Sequence, residues 1–233
     1  MPMLPNLIRS ESLAQQGYST IRRAIRDGKI PRGQLFSESS LAASLGVSRT
    51  PVREALLNLY QDGVVEIVPK RGYRLAELDD GAIDEIRLLR VALEQVVVKQ
   101  LCARATAADI QELRAILKGR RRTQQDMFGI DEAFHLRMAE LAGLNHIHRV
   151  LLGLRGKMYL IASGTRVPAL RNEDVVREHH ELVDLIERRD CERALNAVTE
   201  HVERSVEAFV AARSSLVHDP ATLQQRPVPS IQR

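Results

Sequence analysis

A chain of 233 residues with 44% hydrophobic content is long enough for one or two domains with their own cores. Only 3% of it is aromatic, it has no Trp, and it is rich in Ala, Leu, Arg and Glu, which favours packed helices over a β-sandwich. The net charge of +4 is uneven: residues 1–77 hold eleven Lys/Arg against seven Asp/Glu, the remainder 23 of each, so the excess lies in the first third and suits a polyanionic partner.

Leu4–Ile8 is too short an apolar run for a secretory signal, and no stretch approaches the ~20 apolar residues of a membrane helix. No membrane partner and a cytoplasmic location are therefore expected. Cys102 and Cys191 show neither metal nor disulfide spacing and read as idle thiols.

In chain order, residues 1–12 read as a flexible arm. Tyr18–Asp27 suits a short helix stopped by Gly28, and "GKIPRGQLF" is a turn-rich connector. Ser37 is placed to cap a helix through Leu45, with Gly46 just past its end. A second helix starts at Ser48 and runs to about Asp62, where Gly63 stops it. "VVEIV" (64–68) is β-branched and predicts a strand, "PKRG" (69–72) a turn, and "YRLAEL" the returning strand. Residues 13–78 thus predict a winged helix-turn-helix.

Residues 79–213 predict an antiparallel all-helical bundle, making the fold mainly α. Ile83, Ile86, Leu89, Leu93 and Val96 stripe its first helix, and Thr106 with Asp109 resembles a capping box before the second. Met127, Ile130, Phe134, Met138 and Leu141 stripe a third, ended by Gly143; Asn145 is placed to cap a fourth, running to about Ser163. Leu182, Val183 and Ile186 stripe a fifth, and Leu195, Val198, Val202 and Phe209 a sixth. The polar, Pro-bearing tail 214–233 is expected to be disordered. "KGRRR" (118–122) reads as a solvated helix end.

The stretch "GVSRTPVREALLNL" (46–59) carries the most chemistry. Pro51 costs little in a first helical turn, whose N–H groups lack intrahelical partners. Val52, Ala55, Leu56 and Leu59 form a buried face, and Arg49, Thr50 and Arg53 lie to one side of it within roughly 100°. Placed N-terminus first in a major groove, such a helix offers its dipole to phosphate, arginines that fork onto guanine, and Ser48 and Thr50 to phosphate or a base edge. Alone, these residues suit an ordinary exposed helix better; the preceding helix, the tight turn and the wing reverse that in favour of the groove.

"LAASLGVSRTPVREALLNLYQDGVVEIVPKRGYRL" resembles the winged helix of GntR-type bacterial transcription regulators, over about residues 15–77. The resemblance implies DNA contact by Arg49 and Arg53 with Ser48 and Thr50 nearby, and a wing tip of Arg71 and Gly72 in the minor groove. Some relatives carry an arginine where this chain has Ser39.

In the helical part, Asp131 and His135 share a helix face, His179 heads an inward stripe, and His201 lies beside the last stripe next to small residues Ala194, Ala197, Ser205 and Ala208, which leave room for a cavity. His180 turns away and is expected to pair with Asp184. One carboxylate and three imidazoles can hold a divalent metal; they can equally be hydrogen-bonded core residues. His146 and His148 read as surface or outer residues. Arg90 can anchor a carboxylate or pair with Glu94 one turn on.

"RVALE" (90–94), "DEAFH" (131–135), "GLN" (143–145), "EH" (178–179) and "DCERALNAVTEHV" (190–202) resemble the FCD effector domain of the FadR-like GntR subfamily, over about residues 80–212. The resemblance implies a metal site of Asp131, His135, His179 and His201 (zinc, nickel or another divalent ion), a small organic-acid effector on its open positions, and a homodimer. It also implies location at the bacterial nucleoid when operator-bound. The expected function is a transcription regulator that reads an inverted-repeat operator and is released by its effector, rather than an enzyme. The alternatives are a metal-dependent hydrolase, or a regulator whose metal is purely structural.

Overall fold

The computed structural model describes residues 11–119, 124–162 and 170–217. Over these residues it comprises nine helices and one two-stranded sheet, in two compact units, Met1–Glu77 and Leu78–Arg233. The mainly α fold class, a winged helix-turn-helix followed by a helical bundle, is what it shows. Most of the arm, most of "KGRRR" and the tail beyond residue 217 lie outside the described residues. No helix among the described residues is long and apolar enough to cross a membrane.

In the first unit, α1 (Leu13–Arg26) begins five residues before the expected Tyr18. Ser12 and Gln15 explain the difference: each side chain accepts from the other's backbone N–H, at 3.1 and 3.0 Å, forming a capping box. α1 packs on α3 (Arg49–Gln61). Gly17 permits the approach, since a Cβ there would already lie 3.4 Å from the Ala55 Cβ. Ile21 and Ile25 meet a face of Val52, Ala55, Leu56 and Leu59, all fully buried as their spacing requires. Between them in sequence comes α2 (Glu38–Leu45), capped by Ser37 and closed by Gly46 at φ 66°. Ser48 holds the N-cap position of α3 but its side chain makes no capping bond.

The wing is an antiparallel pair, β1 (Val65–Val68) and β2 (Gly72–Leu75), in the register Val65↔Leu75 to Val68↔Gly72. The second strand is shorter than "YRLAEL" suggested. The connector instead adds a third piece: Phe36 and Tyr73 exchange both backbone hydrogen bonds, each 2.9 Å. Gly72, at φ 119°, lies so close that a Cβ would clash with the Phe36 carbonyl oxygen. Its glycine character is therefore a packing requirement.

In the second unit, α4 (Asp80–Arg104) packs along α9 (Cys191–Val217), and α8 (Leu170–Glu187) packs on α9 as well. α5 (Ala107–Leu117), α6 (Gln124–Leu141) and α7 (Asn145–Ala162) complete the bundle. Thr106 and Asp109 make the expected capping box. Asn145 is the first residue of α7 rather than its cap, since the His148 N–H already bonds the Leu144 carbonyl (2.9 Å).

The expected stripe of α4 needs correction. Its buried line runs Ile83, Ile86, Arg90, Glu94, Val97, Leu101, whereas Leu89 and Val96 are 41% and 47% exposed. Continued from Ile86, a 3.6-residue repeat passes equally well through Leu89 or Arg90, and the bundle turns the charged pair inward. Cys102 and Cys191 are neighbours where α4 ends and α9 begins; burial first, then the adjoining thiol, push Cys102 up to about 12. Both are free.

Candidate nucleic-acid interface and metal centre

On the first unit, Ser48, Arg49, Thr50 and Arg53 are all exposed along the start of α3, and Arg71 is exposed at the wing turn. Glu38, in the first turn of α2, gathers both α3 arginines. Arg53 donates from Nε to Oε1 and from Nη2 to Oε2, both at 2.9 Å, and Arg49 donates from Nη2 to Oε2 at 3.2 Å. The Tyr73 hydroxyl donates to Oε1 at 3.2 Å. The Arg53 hydrogen bonds hold the Glu38 carboxyl down to about 2, against partial burial and with help from Arg49. A guanidinium engaged along its Nε–Nη2 edge still presents the Nη1–Nη2 edge, the fork that matches guanine O6 and N7.

In the second unit, Asp131 and His135 on α6, His179 on α8 and His201 on α9 converge. The three Nε2 atoms lie 3.1, 3.1 and 3.3 Å apart. Asp131 Oδ1 is 3.6 Å from the Nε2 of His135, 3.3 Å from that of His179 and 3.7 Å from that of His201. All three imidazoles are buried, and Phe134 stacks on His179 with centroids 4.4 Å apart.

Two buried carboxylates sit behind the imidazoles. His201 Nδ1 is 2.8 Å from Glu178 Oε2, and Glu178 accepts from Arg204 at 3.1 Å. His135 Nδ1 is 2.6 Å from Glu94 Oε2, close in charge though off the line of a straight hydrogen bond. A carboxylate at Nδ1 draws the ring proton there and leaves Nε2 a bare lone pair. Lone pairs just over 3 Å apart repel unless a cation joins them. Bonds of about 2.0–2.1 Å to zinc would give N–N edges of about 3.3–3.4 Å in a tetrahedron, and about 2.9 Å in an octahedron, which bracket the spacing seen. The donors present fit a divalent metal.

The electrostatics agree. Burial would raise the Asp131 carboxyl, yet Arg155 and the three imidazoles hold it well below the usual carboxylate range. Glu94 is likewise held low against burial by His135, Arg90 and Arg155. Burial, then His201, brings His179 down to about 3, and burial with Arg155 lowers His135. His201 shifts up despite burial, because Asp131 and Glu178 favour a positive charge on its ring. Charged carboxylates around imidazoles are what a cation requires.

A cavity partly open to solvent adjoins this cluster and reaches Asp131, Arg90 and Arg155. Arg155 donates from Nη1 to Asp131 Oδ2 at 2.6 Å, and Arg90 from Nε to Glu94 Oε1 at 3.0 Å. Arg90 therefore pairs with Glu94 and lines the cavity at once. Of the small residues expected to open space beside His201, Ser205 and Ala208 line the cavity, whereas Ala194 is packed in the core and Ala197 lines a separate polar cavity. His180 does not take Asp184, which accepts from Arg114 at 2.7 Å. His148 lies 3.2 Å from Glu140 and His146 3.0 Å from an Arg149 nitrogen, both away from the cluster.

Sequence reasoning missed Glu38, Tyr73, Glu94 as a partner of His135, Glu178 and Arg155. Arg155 carried a signal: it shares the buried face of α7 with Leu151, Leu154 and Met158, a charge within an apolar stripe.

A winged reader and a helical bundle with this donor set stand together in one chain, and comparison with known proteins decides the family. The description "Bacterial regulatory proteins, gntR family" matches residues 13–75, and "FCD domain" matches residues 85–204. The chain belongs to the GntR family and carries an FCD domain. This GntR–FCD regulator is 31% identical over 191 residues to an HTH-type transcriptional regulator in an unstable DNA locus of Streptomyces ambofaciens, spanning 79% of this chain and 80% of that one. It is 24% identical to the HTH-type transcriptional repressor RspR of Escherichia coli, over 85% and 90% of the two chains. Escherichia coli McbR/YncC shares the fold with a TM-score of 0.76 at 22% identity, over 87% and 99% of the chains. The protein is a DNA-binding transcription regulator of the GntR–FCD type.

Proposed function

We propose that this regulator is a metal-dependent, acid-responsive repressor. Asp131, His135, His179 and His201 hold a divalent metal, zinc or nickel by ligand type. The metal supplies a Lewis-acidic anchor for an oxygen ligand. The α3 residues Ser48, Arg49, Thr50 and Arg53 read the major groove, and Arg71 with Gly72 places the wing in the minor groove. Two copies read the two halves of an inverted repeat. Leu89 and Val96, one heptad apart on α4, support a homodimer: they are apolar surface that a second copy would cover.

The observation that carries the effector reading is a pair of buried guanidiniums beside the cation donors. Arg90 and Arg155 balance Glu94 and Asp131, and Glu178 offsets one charge of a divalent metal, so the metal leaves the buried site with one uncompensated positive charge. A carboxylate entering the cavity neutralises it. Glu94 and Glu178 are both held at imidazole Nδ1 atoms, so neither is placed as general base for a metal-bound water; this disfavours the hydrolase alternative. An effector changes DNA affinity only by binding two arrangements unequally.

The test is to select binding duplexes from a random library with the metal-loaded chain, then measure affinity at fixed salt with and without small organic acids. Release by an acid in the metal-loaded form alone is expected. Equal release from the chelated form would make the metal structural.

A further inference from the structure

Resting on that effector reading, we propose that the ligand is a carboxylate with an apolar body, not a polyhydroxylated or polycarboxylate acid. The cavity has two unlike ends. At one, Arg155 Nε and Nη2 are buried without a hydrogen-bond partner, next to Asp131, while Arg90 Nη2 lies 2.9 Å from Glu94 Oε1. The two Arg155 N–H groups, on a residue 3% exposed, suit one carboxylate head.

At the other end the wall is aromatic and thioether. Phe128 stands 5.6 Å from Phe209 and 6.2 Å from Tyr159, centroid to centroid, with Met127 and Met158 beside them. Tyr159 already gives its hydroxyl to Glu132, so the wall receives its ring. Ser205 supplies the other hydroxyl among the described lining residues. A sugar acid would therefore bury several hydroxyls against carbon, each unpaired one costing roughly tenfold or more in affinity. One buried ring gains roughly 10- to 100-fold. Methionines adapt to its outline.

The test uses the full zinc-loaded chain and calorimetric titration with acetate, mandelate, gluconate and citrate. Mandelate is expected to bind at least about tenfold more tightly than the other three. Phe209→Gln should abolish that preference while zinc content and acetate affinity stay unchanged; Phe128→Gln serves if the first variant loses zinc through misfolding. Gluconate or citrate binding as tightly as mandelate overturns the apolar body and leaves an acid effector standing. Preference for mandelate that survives both substitutions overturns the assigned wall. No binding by any of the four overturns this inference and the effector reading together.

Discussion

Each unit contains an arginine–glutamate pair, and the two pairs differ in what surrounds them. Arg53–Glu38 sits at the surface, its arginine 58% exposed; Arg90–Glu94 is buried, each side chain 2% exposed. At the surface, water and phosphate compete for the guanidinium, so the pair orients Arg53 while leaving it free to exchange partners. In the bundle no water competes, so the pair must stay satisfied, and the partnerless N–H groups of the neighbouring Arg155 become a demand on whatever enters the cavity. A shared chemistry thus serves orientation in one place and ligand selection in the other.

Substitutions that separate these environments follow, from the largest expected effect down. Arg90→Ala leaves Glu94 buried beside a weaker set of partners and should lower the stability of the bundle by about 3–5 kcal/mol, read from urea unfolding. His179→Ala removes a donor from the cluster. Metal affinity should fall by more than the roughly 10- to 100-fold an outer partner is worth, while His180→Ala retains full metal by elemental analysis. Equal loss in both variants would contradict the placement of His180 away from the cluster.

Arg53→Ala should weaken binding to the selected duplex by about 1–3 kcal/mol and relax preference at one base pair, with the unfolding midpoint unchanged. Glu38→Gln should cost less than about 1 kcal/mol of stability. Its sharper sign is pH. A carboxyl held at about 2 in the folded state contributes above its unfolded pKa of about 4.5, and that contribution fades as pH falls towards 2. The variant should flatten the stability profile across that acid window and reduce discrimination between duplexes. An undiminished slope would show that the pair does not hold Glu38.

Much of the fold was legible because its signals are local. Ser37, Gly46 and Gly63 punctuate the reader, and the apolar spacing of α3 names its buried face without outside help. The four metal-type residues were legible through helical period and through resemblance, since Asp131 and His135 lie one turn apart and His179 heads an apolar stripe. The α4 stripe failed where period alone cannot choose between Leu89 and Arg90. Glu38 was invisible for another reason: it meets Arg49 and Arg53 only because α2 docks against α3.

The chain alone determined its helices, its wing, the arginines at the start of α3 and the identity of four donors, because propensity, capping and periodicity act over a few residues. Tertiary structure decided that three imidazole Nε2 atoms meet, that Glu94 and Glu178 stand behind two of the rings, and that two guanidiniums face an aromatic-walled cavity. Those relations join helices far apart in sequence, and only packing fixes which side of each one faces the others.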